Sequence, residues 1–177
     1  MKKTIINIVL ILTVFIIYYL QSNFFNWFTI SGIMPNLFVI LVLFIGLFAN
    51  KTMGTIYGII VGLILDLIIG NKVGIYAVGL GIIGFLAGLF DKNFSKDSRI
   101  TIMVMVLAST IIFEVIRYLL NYVLLSNSLE LVNFAKILFI EVIYNLILTI
   151  IFYPLMQKVG YYIENEYKGN KILTRYF

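Results

Sequence analysis

Cysteine and histidine are both absent from the 177 residues. The chain therefore has no disulfide, thiolate nucleophile, cysteine or histidine metal ligand, or imidazole acid–base group. Chemistry is left to carboxylates, amides, hydroxyls, lysine and arginine. Charge is also scarce, at 12% of residues against roughly a quarter in an ordinary soluble domain. Proline occurs only twice, and no Gly/Ser linker or low-complexity tract interrupts the sequence. That argues for one domain rather than several.

What is present is apolar: 62% of residues are hydrophobic and the mean hydropathy is +1.08. This balance places the chain among integral membrane proteins, with length for about five to seven spans. The net charge of +5 then reflects basic cytoplasmic loops, not a nucleic-acid surface.

The apolar runs predict an all-α polytopic protein with spans near 4–20, 35–49, 52–69, 73–90, 100–125 and 137–156. The first follows Lys2 and Lys3 as a signal peptide would. However, "YYLQSNFF" has no small-x-small cleavage site, which predicts an uncleaved span. The second, Pro35 to Ala49, is short: its 15 residues rise about 22 Å. Charge decides whether it crosses. Six spans with the N-terminus inside put Lys2, Lys3, Lys51, Lys92, Lys96, Arg99, Lys158, Lys168, Lys171 and Arg175 on the cytoplasmic side. Only Lys72 and Lys136 fall outside, with Arg117 in the membrane. The best five-span arrangement is less asymmetric and leaves Lys2 and Lys3 outside, so the positive-inside rule favours six spans with both termini cytoplasmic. Ser126 to Lys136 reads as an outer loop. Residues 157–177 read as a cytoplasmic tail, solvated or lying on an anionic leaflet.

Within "GTIYGIIVGLILDLIIG" (54–70), Gly54, Gly58 and Gly62 recur every fourth residue, and Asp66 and Gly70 continue the series. Side chains four apart share a helix face, so these glycines make a groove. In lipid, close backbone contact is what holds helices together, and small residues at this spacing permit it. Gly81, Gly84 and Gly88 make a second small-residue face on the fourth span. The two faces pack on each other or on a partner helix.

Four ionisable residues lie within predicted spans: Asp66, Glu114, Arg117 and Glu141. Each costs roughly 2.5–3.5 kcal/mol at the centre of an isolated helix. Counted from Lys51, Arg99 and Lys158, all four sit about 22–27 Å from the cytoplasmic side. A common depth predicts one polar cluster joining spans three, five and six, with Arg117 pairing carboxylates and Asn145 one turn from Glu141. An ion-pair pin fixing helix register is favoured over a substrate site or proton path. No hydrolytic or transfer signature appears.

"MPNLFVILVLF", then "GIIVGLILDL" with "GIYAVGLGIIGF", and "VIYNLILTIIFYPLMQK" near the end together resemble the MreD family of rod-shape-determining membrane proteins. The matching positions are Pro35, Asn36, Gly58, Gly62, Asp66, Gly74, Asn145 and Pro154. Asn36 stands where that family often has aspartate. The resemblance implies a non-enzymatic protein of the bacterial inner membrane, without a cofactor and without nucleic acid. Its implied partners are an MreC-like bitopic protein and membrane lipid. Less directly, they include an MreB filament, the RodA polymerase and a penicillin-binding transpeptidase.

The family is also similar in architecture to the substrate-binding subunits of energy-coupling-factor vitamin transporters, which gives the alternative of a small-molecule binder. Those subunits typically dock through an alanine pair on the first span. "TIINIVLILTVFIIYYL" contains no alanine.

Overall fold

The computed structural model describes residues 2–69, 72–93, 96, 98–125 and 130–168. Gly70, the loop residues 126–129 and the end of the expected tail, 169–177, lie outside the described residues. Seven α-helices are named here: α1 Lys2–Tyr19, α2 Phe25–Trp27, α3 Leu37–Phe48, α4 Lys51–Ile69, α5 Ile75–Asn93, α6 Arg99–Leu125 and α7 Leu131–Lys168. A π-helical turn, Leu20–Phe24, joins α1 to α2. Among the described residues the only β pairing is the isolated bridge between Ile30 and Ile33. Among the described residues, four helical stretches are long and apolar enough to cross a membrane: Lys3–Trp27, Lys51–Ile69, Arg99–Leu124 and Leu131–Lys168.

The distribution of polarity is inverted relative to a soluble protein. Asp66, Ser109, Thr110, Glu114, Glu141, Asn145 and Thr149 are buried, while Ile59, Leu67, Val123, Phe139, Ile151 and Leu155 are exposed. Large apolar side chains facing outward over polar groups facing inward is the arrangement a lipid solvent selects.

α3 occupies the centre. Every one of its twelve residues is buried, as a helix apolar on all faces requires. It rises only about 18 Å, and α4, α5, α6 and α7 pack around it. The feature of its sequence that matters is this all-round apolarity rather than its length against the bilayer. α1 is more peripheral. It turns inward one stripe, Ile6, Leu10 and Val14, at four-residue spacing. Asn7 ties it to the bundle, accepting hydrogen bonds from Tyr167 Oη (2.6 Å) and Tyr57 Oη (3.3 Å).

α4 and α5 pack glycine face to glycine face. A Cβ placed on Gly54 falls 2.6 Å from both Gly46 Cα and the Gly84 carbonyl oxygen. On Gly58 it meets the Leu80 carbonyl, on Gly62 the backbone of Ala77, and on Gly88 the backbone of Lys51, each closer than real Cβ atoms come. The backbones are therefore in direct contact, and the two glycine faces lie against each other. Gly81 is looser, with only the Ile59 side chain nearby. Gly46 of α3 joins the seam, where a Cβ meets Ala87 Cβ at 2.5 Å and the Gly84 carbonyl at 2.6 Å. As a lone glycine in "LFVILVLFIGLF" it gave no spacing signal.

α7 runs unbroken from Leu131 through Pro154 to Lys168. It thus begins within the segment expected as an outer loop and continues into the segment expected as a tail. Neighbouring helices supply the packing that lets a membrane helix tolerate proline.

Candidate functional site

α5 begins without a capping residue of its own. Val73 and Gly74 precede it, and neither carries a side-chain acceptor. The first N–H groups of any helix need one, and Asp66 supplies it from the preceding helix. Its carboxylate accepts from Gly74 N (2.9 Å), Tyr76 N (2.9 Å) and Ala77 N (3.2 Å). Gly74 reaches this position with φ +116°, a conformation that suits glycine. The negative charge also meets the positive end of the helix dipole. This corrects the expectation that Asp66 belongs to the Arg117 cluster. The free N–H groups of the next helix are nearer claimants for the carboxylate than the arginine is.

Arg117 pairs with Glu114, Nη2 to Oε2 at 2.6 Å, on one face of α6. Its other terminal nitrogen donates to Tyr76 Oη at 3.4 Å. Tyr76 thereby links the ion pair to the helix start held by Asp66. Glu141 of α7 faces the same pair, interacting with Glu114, Arg117 and the Asn36 side chain. Three of the four predicted ionisable residues are thus brought together. Two carboxylates stand against one guanidinium.

Asn145 does a separate task one turn away. Its Oδ1 accepts from Asn36 N at 2.9 Å, and its Nδ2 donates to Thr110 Oγ1 at 3.0 Å. Asn36 Oδ1 in turn caps α3, accepting from Val39 N at 3.3 Å. Pro35 enters this cap with fixed backbone geometry. The Pro35-Asn36 pair and Asn145, separate in sequence, therefore form one device holding the start of α3 to α6 and α7. Asn36 works here as an amide, without needing the charge of aspartate.

Beside these groups lies a cavity of about 560 Å³. Tyr76, Arg117, Glu141, Asn36 and Gln21 supply its polar wall, and Leu65, Ile68 and Ile137 are among its apolar lining. A tight turn partly covers it: Ser31 (φ 53°) and Gly32 (φ 78°) reverse the chain between Ile30 and Ile33. Tyr144 of α7 anchors that segment by donating to the Phe28 carbonyl.

At the opposite end of α5, sequence reasoning missed a second polar cluster. Lys96 pairs with Asp91 at 2.5 Å and Glu164 at 2.6 Å, and Lys168 pairs with Asp91 at 2.6 Å. Both ammonium groups also donate to the Leu47 carbonyl, at 3.2 and 2.8 Å. They satisfy the C-terminal end of α3 and complement its dipole. Burial raises the Asp91 carboxyl, but hydrogen bonds from Lys168 and Lys96 outweigh it and hold the group below its ordinary range. Burial lowers the Lys96 ammonium, yet Asp91 and Glu164 carry it above its usual value. Lys168 stays lowered, chiefly by burial, with Lys96 repelling it.

Among the described residues no group of three or more His, Cys, Asp or Glu is placed to hold a metal ion. No curated protein and no solved structure matches the chain. The family model described as rod shape-determining protein MreD matches residues 2–161, nearly the whole chain, and the chain belongs to that family.

Proposed function

We propose that this chain is a non-enzymatic membrane scaffold of the cell-elongation machinery, binding an MreC-like bitopic protein. Through that partner it connects to an MreB filament, the RodA polymerase and a penicillin-binding transpeptidase. In this reading it forms a single six-span domain of the bacterial inner membrane with both termini cytoplasmic. The observation that carries the reading is the family match over residues 2–161. The family's role is rod shape determination.

The polar residues support a structural use. Asp66, Asn36, Asn145, Lys96 and Lys168 each hold a helix end, which is the work of a rigid adaptor rather than of catalysis. The MreC-like partner then meets outward apolar surface, because the glycine faces of α4 and α5 are occupied by each other.

Affinity purification of the tagged protein from its own cells tests this. Recovery of an MreC-like protein is expected. Recovery of ABC-type ATPases with a coupling subunit would instead support the small-molecule-binding transporter subunit.

A further inference from the structure

The chemistry of the cavity is not accounted for by the helix-end devices around it. Glu141 is 4% exposed, lines the cavity, and has Oε1 without a hydrogen-bond partner. Gln21 Oε1, on the same wall, is buried and unpartnered too, as is Glu114 Oε1 behind Arg117. All three are acceptor atoms, and a buried acceptor left unpaired costs about 1–3 kcal/mol. Such a group calls for a donor.

Charge points the same way. The Arg117 guanidinium is already engaged by Glu114 and Tyr76 and does not serve the free Glu141 oxygen. The unmet demand is therefore for N–H donors, which an ammonium group supplies and an anion does not. A metal ion is a poor candidate, with two carboxylates on hand and no larger ligand group among the described residues. The volume, about 560 Å³, falls in the range of small-molecule sites. Leu65, Ile68 and Ile137 offer an apolar wall for a hydrocarbon body. Gln21 sits on the π-helical turn Leu20–Phe24, a distortion often found where a helix serves a site.

We infer that the cavity binds an amphiphile bearing a primary ammonium group, with the ammonium on the Glu141 carboxylate and the hydrocarbon part against α4. The same chemistry is presented by an aminophospholipid headgroup and by a free alkylamine. The site is independent of which protein the chain partners.

Native mass spectrometry of the full chain tests this in three arms: nanodiscs containing phosphatidylethanolamine, nanodiscs of phosphatidylglycerol alone, and the latter with added octylamine. One bound ammonium-bearing molecule per chain is expected in the first or third arm, identifying the lipid or the free amine as its source. Glu141→Gln keeps the shape and removes the charge, and should weaken retention roughly tenfold, the loss of one charge-assisted contact. Ile137→Trp, which fills the cavity without changing charge, should abolish it. Ile147→Ala, on the exposed face of the same helix, should leave it unchanged. Retention of phosphatidylglycerol at equal strength, unchanged retention in Glu141→Gln, or no binding in any arm would each overturn the inference.

Discussion

Gly84→Ala probes the seam between α4 and α5 with one methyl group. Its Cβ would be driven into the Gly54 carbonyl and within 2.8 Å of Thr55 N. Both are backbone, so neither can rotate away, and the helices must separate along the seam. Overpacking of a tight core costs about 1–3 kcal/mol, and backbone against backbone belongs at the upper end. Against that, alanine gains roughly 1 kcal/mol over glycine in helix propensity. The net loss is about 2 kcal/mol, or roughly 4–8 °C in unfolding midpoint for a chain of this size.

Gly81→Ala is the internal control. Its Cβ meets only the Ile59 side chain, at 2.8 Å from Cγ1, and Ile59 is exposed and free to move. The propensity gain then offsets the contact, and the midpoint should stay level or rise. Thermal unfolding of the purified protein in detergent, followed by size-exclusion chromatography, measures both without any partner present. Gly54→Ala with Gly84→Ala should cost less than the sum, because the first substitution already opens the contact that the second needs. A Gly84→Ala protein as stable as wild type would refute the account of the seam.

Asp66→Ala should cost roughly 3 kcal/mol, since three N–H groups lose a charged acceptor. Hydrogen exchange should show protection lost first at the Tyr76 and Ala77 amides, and unchanged protection there would exclude the cap. Arg117→Met strands Glu114 and should destabilise by about 3 kcal/mol, the lower part of the range because the arginine is a quarter exposed. Adding Glu114→Gln should recover much of that loss, and a double variant no better than the single would contradict the pairing. Asp91 has a lowered carboxyl, so its stabilising contribution is present above about pH 4, the ordinary value, and disappears as pH falls through the folded one. The unfolding midpoint should therefore drop on acidification, and less steeply in Asp91→Asn; parallel pH profiles would remove Asp91 from the acid response.

The all-helical character and the spacing of the glycines were legible because period and hydropathy act locally, whereas the ends of α7, Leu131 and Lys168, were not. What Asp66 does was not legible from depth alone, though the sequence held a usable signal. α5 starts after Val73 and Gly74 with nothing to cap it, so an acceptor had to arrive from another segment. The Lys96 and Lys168 contacts with Leu47 follow the same logic at the end of α3, where no polar residue precedes Asn50. Spacing rules look along one helix. These devices join residues 49 and 121 positions apart, and only a count of unsatisfied backbone ends would have asked for them.

That count also separates residues that build the fold from those left over. Short inner helices expose backbone ends where water is scarce, so each end needs a side chain from elsewhere. At α3 these are Asn36 with Asn145 at one end and the two lysines at the other. At the start of α5 it is Asp66. Each of these polar groups has a backbone partner, and its burial is explained by that partner. Glu114, Arg117 and Glu141 have none. Their cluster costs desolvation without closing any helix end, and an apolar triad would pack the same space. Arg117 and Glu141 of this cluster line the cavity, and Glu114 pairs with Arg117 directly behind its wall.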